Sequence, residues 1–245
     1  MIDYEVSERH KRKPNLTQTM FDTLGKAIVA GRYEGRPFPT EGELSKAHGV
    51  SRSVTREAIK MLTAKGLVSA RTRKGTLVQP SSRWNRFDSD VLRWLLESKS
   101  SVELLRHFSQ LRLAIEPEAA ALAAANHSEA ERALIHAGLA RMAAAEKGQD
   151  DPLASDIAFH VAILRATRNP FYEQFQTVVA TALQTSIRFT NAIQGHNASL
   201  VDHTAVAEAI ANRDADSART AMRKIIADVL ELIANYARST PMPQR

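Results

Sequence analysis

Cysteine is absent from this 245-residue chain, which removes disulfides, thiolate metal sites and cysteine nucleophiles together and fits a reducing compartment. Long apolar runs are missing as well. No stretch approaches the roughly 20 uncharged apolar residues that a membrane helix needs, and the opening M-I-D-Y-E-V-S-E-R-H-K-R-K-P has no apolar core of a signal peptide. These absences exclude disulfide-stapled and membrane-spanning classes and point to a cytoplasmic protein. At 27.1 kDa the chain can form one or two domains of roughly 100–200 residues, each with a real hydrophobic core.

What is present becomes informative when charge is divided along the chain. Residues 1–80 hold 15 Lys/Arg against 8 Asp/Glu. The remaining 18 Lys/Arg and 19 Asp/Glu of residues 81–245 nearly cancel, so the whole formal excess of +6 is N-terminal. A basic segment joined to a neutral one suits an anionic polymer or surface bound by one part while the other part does something else. A solvated charged face is the alternative reading of the same charge.

Residues 1–15 are polar and basic without hydrophobic periodicity, and read as a flexible arm. Leu16, Met20, Leu24, Ala27 and Ile28 then recur at helical spacing up to Gly31. Thr40 with Glu43 three residues on predicts a capping box, opening a short helix that turns Leu44 and Ala47 inward and ends near Gly49. Ser51 caps a third helix with Val54, Ala58, Met61 and Leu62 as its apolar stripe, ending at Gly66. Leu67–Ala70 and Thr76–Val78 flank R-T-R-K-G as a basic hairpin. Residues 16–80 thus form one domain, 81–100 a linker with a short helix, 101–238 an all-helical domain with breaks near Asn126, Gly148, Asn169, Gly195 and Asp214, and 239–245 a tail. The fold class is mostly α. Pro117 is expected to kink or restart its helix.

A helix-turn-helix needs a recognition helix whose first turns carry long donors while the opposite face packs. Residues 51–64 meet this: Ser51, Arg52, Ser53, Thr55 and Arg56 are polar, and Arg52 and Arg56 lie four apart on one face. An ordinary charged helix surface with Arg56 beside Glu57 is the alternative.

The run F-P-T-E-G-E-L-S-K-A-H-G-V-S-R-S-V-T-R-E-A-I-K-M-L-T-A-K-G-L-V-S-A-R-T-R-K-G-T-L-V resembles the winged helix-turn-helix of the GntR family of transcription regulators. The resemblance implies DNA contacts from Ser51, Arg52, Ser53 and Arg56, and from Arg73, Lys74 and Gly75 of the wing. It departs at Gly42, where many members carry an arginine, which implies a missing DNA contact and a different operator. The segments L-R-L-A-I-E-P-E-A-A-A-L-A-A, D-I-A-F-H-V-A-I-L-R-A-T-R-N-P and H-T-A-V-A-E-A-I-A-N-R-D-A-D-S-A-R-T-A-M are similar to the FCD effector domain of the FadR-like branch. The linker W-N-R-F-D-S-D-V-L-R-W-L-L is similar to sugar-acid-responsive members.

Asp156 and His160 project from one helix face, a spacing suited to two ligands on one metal, and His203 lies on the stripe of Val206 and Ile210. Core histidines bonded to a carboxylate are the alternative. The resemblance implies one aspartate and three histidines holding a divalent metal, zinc above others. Its fourth position falls on Ile225, which cannot ligate, so the site either keeps three protein ligands or works without metal. His196, in a nearby G-H-N loop, is a candidate substitute for that fourth ligand, with a solvated loop histidine as the favoured reading. Arg112 borders the stripe Leu104, Phe108, Leu111 and Ile115; the family's matching arginine faces a carboxylate ligand, whereas a pair with Glu116 at i+4 is the competing reading. Arg188 and Asn191 are further pocket residues, and Trp84 and Trp94 are expected to anchor the two domains to each other.

The function these features support is a homodimeric, sequence-specific regulator, most simply a repressor. It reads a palindromic operator and answers a small carboxylate, a sugar acid by resemblance. Two rivals stand beside it: a metal-dependent hydrolase using Asp156, His160 and His203, and a nonspecific DNA-binding protein. The hydrolase lacks an evident general base and leaves the winged domain unexplained.

Overall fold

The computed structural model describes residues 15–71, 75–98, 101–194 and 199–239, with the backbone alone for 70, 71, 101 and 185–194. Among the described residues the chain forms ten α-helices and one two-stranded antiparallel hairpin. It divides into two compact units, residues 1–99 and 100–245.

The first unit contains α1 (Leu16–Val29), α2 (Glu41–His48), α3 (Arg52–Ala64), β1 (Val68–Arg71), β2 (Gly75–Val78) and α4 (Ser89–Leu96). The caps are those the side chains call for. The Glu43 N–H donates to Thr40 Oγ1 and the Thr40 N–H to Glu43 Oε2, closing the capping box, and Ser51 Oγ accepts from the Val54 N–H. The core gathers Met20, Phe21, Leu24, Ile28, Phe38, Leu44, Ala58, Ile59, Leu62 and Leu67. Two residues expected inside are exposed: Leu16 and Ala47 face solvent, while Phe21 takes the buried place.

Trp94 corrects a second expectation. Rather than bridging domains it sits in this unit's core, edge-on to Phe21, and its ring occupies the space that a Cβ at Gly25 would need. Trp84 packs on the same core. The short linker helix is therefore part of the first unit. It is also tied by charge: Lys65, which caps α3, reaches Asp88 and Asp90 at 2.6 and 3.0 Å, and Arg93 reaches Asp22 of α1 at 2.9 Å.

The second unit is six helices: α5 (Ser101–Asn126), α6 (Glu129–Glu146), α7 (Pro152–Ala166), α8 (Pro170–Gln194), α9 (Leu200–Ala211) and α10 (Ala215–Ser239). α5 packs against α7, α8, α9 and α10, and α6 against α7 and α9. α5 runs unbroken through Pro117, so the restart expected there does not occur. Its buried face is rotated from the one apolar spacing indicates. Leu104, Leu111 and Ile115 are only half-buried, whereas Leu105, Phe108, Ser109, Arg112 and Glu116 are buried. At Gly138 a Cβ would lie 2.9 Å from the Phe159 Cα, so glycine lets α6 close directly on the turn of α7 that carries His160.

Candidate functional sites: a recognition helix and a buried ionic cluster

In the first unit, α2 and α3 form the helix pair, with Gly49 in the left-handed conformation at the turn between them. Thr55, read from sequence as part of the polar outer face, is fully buried. Its Oγ1 lies 2.8 Å from Ser45 Oγ and braces α3 against α2. That brace leaves Ser51, Arg52, Ser53 and Arg56 exposed at the start of α3. Arg56 pairs with Glu41 of α2 at 3.3 Å, not with its neighbour Glu57, which instead meets Lys60. Arg52 makes no ion pair among the described residues. A half-open Arg56 and an open Arg52, one turn apart at a helix N-terminus, can meet phosphates or base edges. Gly42 lies in open space, without a side chain to offer. In the hairpin, Gly75 has positive φ and pairs with Arg71; Arg73 and Lys74 fall outside the described residues.

The second unit buries its charges. Asp156 and His160 lie one turn apart on α7, and His203 comes from the first turn of α9; each is at most 4 % exposed. His160 Nε2 is 3.3 Å and His203 Nε2 3.2 Å from the same oxygen, Asp156 Oδ1. One ligand atom from each of the three falls within 4.8 Å of the others. The His203 Nδ1–H donates to the Ser199 carbonyl at 2.7 Å, which fixes the tautomer and leaves the Nε2 lone pair aimed at the cluster. On the other side His160 Nδ1 lies 2.6 Å from Glu116 Oε2, a close buried ion-pair contact. Asp156 Oδ1 and His203 Nε2 are buried without hydrogen-bond partners.

Two lone-pair bearers facing one carboxylate oxygen need a cation between them, a proton or a metal. Without metal, protons fill the need. Burial would lower His160, but the Glu116 and Asp156 carboxylates outweigh it and raise the imidazole to about 9. Burial would raise Asp156, yet the two histidines hold it far below the usual carboxylate range. Glu116 is likewise brought down to about 2, against its burial, by Arg112 and His160. The donor set also fits a divalent metal: two imidazole nitrogens, the His203 tautomer set by Ser199, and one carboxylate, with their ligand atoms close together. Ile225 is buried on α10 and supplies nothing, so three ligands are offered among the described residues.

For Arg112 the structure shows the pair with Glu116 at i+4. The Arg112 Nε and Nη2 donate to Glu116 at 2.6 and 3.3 Å, forming a buried pair. Glu116 was weighed in the sequence only as the partner of Arg112; its second role, beside His160, depends on how α7 lies against α5 and has no local signal. The Arg188 and Asn191 side chains, and His196, lie outside the described residues.

Two family models match the chain. Residues 16–78 match the bacterial regulatory proteins of the gntR family and residues 107–228 match the FCD domain. The chain is 34 % identical over 218 residues to the galactonate operon transcriptional repressor of Escherichia coli K12, covering 87 % of this chain and 94 % of that one. It is also 34 % identical over 215 residues to the HTH-type transcriptional regulator YieP of the same organism, covering 86 % and 93 %. The solved structure of Lar, which controls expression of the Listeria monocytogenes agr system, shares the fold at a TM-score of 0.56 and 18 % identity over 90 % of this chain and 97 % of that one. Regulators of this kind are not enzymes, which removes the hydrolase reading. The chain belongs to the GntR family of bacterial regulatory proteins, a DNA-binding transcriptional regulator with an FCD effector domain.

Proposed function

We propose that this regulator is a cytoplasmic homodimeric repressor that releases a palindromic operator when a sugar acid enters the second unit. Ser51, Arg52, Ser53 and Arg56 of α3 read and clamp the DNA, with Arg73, Lys74 and Gly75 of the wing beside them. The acid is held at Arg112 and at Asp156, His160 and His203, with Arg188 and Asn191 as further pocket residues. The domain limits are 16–80 for the DNA-reading part, 81–100 for the connecting segment and 101–238 for the effector part. The relative that names a galactonate operon supports the acid class.

The observation that carries this reading is the convergence of Asp156 Oδ1, His160 Nε2 and His203 Nε2 in one buried place. Those three residues would hold a divalent metal, zinc by ligand type. Bound there it supplies positive charge that attracts a carboxylate oxygen into an open coordination position. Arg112 orients that carboxylate, and Glu116 holds both Arg112 and the His160 ring in place. Regulation requires the acid to bind the DNA-free arrangement more tightly than the DNA-bound one, a coupling of typically ~1–3 kcal/mol.

The test is DNA retardation with the region upstream of the protein's own gene, titrated with galactonate and gluconate, with zinc and after chelation. Release by acid only when zinc is present supports the reading. Release that is indifferent to zinc assigns the acid to Arg112 and hydrogen bonds alone, and no release by any acid removes the effector class. Competition against random DNA separates this protein from a nonspecific binder, since a true regulator prefers its site by ~10³ or more.

A further inference from the structure

The interior face of α5 carries a polar atom that neither the ion pair nor the histidine cluster uses. Ser109 is 1 % exposed, and its Oγ is without a hydrogen-bond partner among the described residues. A helical hydroxyl ordinarily donates back to the carbonyl four residues earlier. This chain does so repeatedly: Thr23 to Thr19, Ser45 to Glu41, Thr63 to Ile59, Thr181 to Thr177 and Thr204 to Leu200. Ser109 does not. Leaving a buried hydroxyl unpaired is unfavourable, and no described residue pairs it, so an incoming ligand is a suitable partner.

Its placement says what that partner is. Ser109, Arg112 and Glu116 follow one another at spacings of three and four, on one helix face, and all three are buried. With a rise of 1.5 Å per residue, Ser109 stands roughly 10 Å along the axis from Glu116, and Glu116 touches His160. Arg112 lies between them, bonded to Glu116 through Nε and Nη2. The result is a polar strip with the acid-binding cluster at one end, a guanidinium in the middle and a lone hydroxyl at the far end, flanked by the apolar Leu105 and Phe108.

We infer that Ser109 is the distal contact of the effector pocket, hydrogen-bonding a hydroxyl near the far end of a linear polyhydroxylated carboxylate whose acid group sits at Asp156, His160 and His203. This rests on the acid-binding reading above and adds selection by length. A three-carbon hydroxy acid held at the histidines stops short of Ser109. An extended six-carbon aldonate spans the strip.

The experiment is calorimetric titration of the zinc-loaded full chain with lactate, glycerate, gluconate and galactonate, on the parent protein and on Ser109→Ala, beside thermal melts of both without ligand. The parent should bind a six-carbon acid more tightly than lactate. Ser109→Ala should weaken the six-carbon acid roughly three- to tenfold, the worth of one neutral hydrogen bond, leave lactate unchanged, and melt no lower than the parent because an unpaired hydroxyl has gone. A six-carbon acid that binds both proteins equally overturns the role of Ser109 while leaving the pocket standing. Equal weakening of lactate and the long acids, with a lower melting temperature, overturns it too, by making Ser109 structural. Failure of every acid to bind the parent overturns the pocket itself, and that outcome is separate from the other two.

Discussion

The two units use the same ionic chemistry in opposite environments. In the DNA-reading unit Arg56 meets Glu41 at the surface, both side chains more than a third exposed, and the pair leaves the arginine able to exchange partners. In the effector unit Arg112 meets Glu116 with both side chains almost fully buried, and Glu116 is shared with His160. A surface that must trade protein contacts for phosphate needs weak, replaceable pairs. A pocket that must discriminate one small molecule needs charges already held in place, where each missing partner is felt.

That contrast can be broken by single substitutions. The largest expected effect is Glu116→Ala, which leaves Arg112 buried without its counterion and should destabilise the effector unit by ~3–5 kcal/mol in denaturant titrations. Glu41→Ala should lie below ~1 kcal/mol. If the two cost the same, the environments do not differ as described. Next in size, Arg52→Ala should weaken operator binding by ~1–3 kcal/mol in retardation assays while far-UV and near-UV dichroism stay unchanged. Unchanged affinity would remove Arg52 from the DNA interface. Arg112→Ala should abolish the response to acid, and a surviving response at full amplitude would take that residue out of the pocket.

The buried set also sharpens the comparison through pH. His160 is raised to about 9 from an unfolded value near 6.5, so in metal-free protein its stabilising contribution is complete below pH 6.5 and is lost as pH rises through about 9. Glu116, lowered to about 2, works in the other sense: its contribution is present above about pH 4.5 and is lost as pH falls through about 2. Zinc competes with the proton on His160, so its apparent affinity should climb across the same pH 6.5–9 window in which the metal-free protein weakens. Melts of stripped and zinc-loaded protein across pH 6–9 test this, and parallel curves would contradict it. Thr40→Ala should cost about 1 kcal/mol through the loss of a capping box on an exposed helix start, which leaves Glu41→Ala as the smallest effect.

The DNA-reading unit was the more legible of the two in sequence. Caps and turns are local, so Thr40 with Glu43, Ser51 and Gly49 announced two helices and the corner between them. The helix breaks of the effector unit were legible for the same reason, as was the i, i+4 pair of Asp156 and His160. What sequence misassigned were positions decided by another segment of the chain. Apolar spacing pointed α5 along Leu104, Phe108, Leu111 and Ile115, yet of these only Phe108 is buried, and the helix turns Ser109, Arg112 and Glu116 inward, where Glu116 meets both Arg112 and His160 of α7. Thr55 looked like surface and is a buried brace, since Ser45 lies opposite. Trp94 looked like a bridge between domains and fills the space above Gly25. In each case a polar group or a missing Cβ on one element makes room for a residue on another, and hydrophobic periodicity, which counts one element at a time, is blind to the exchange.

The most direct test of the account is the metal content of the protein purified without added metal or chelator, compared with His160→Ala and His203→Ala. The account predicts close to one divalent metal per chain in the parent and loss of it in both variants. A parent protein that is free of metal, and that sugar acids stabilise equally with and without zinc, would contradict it.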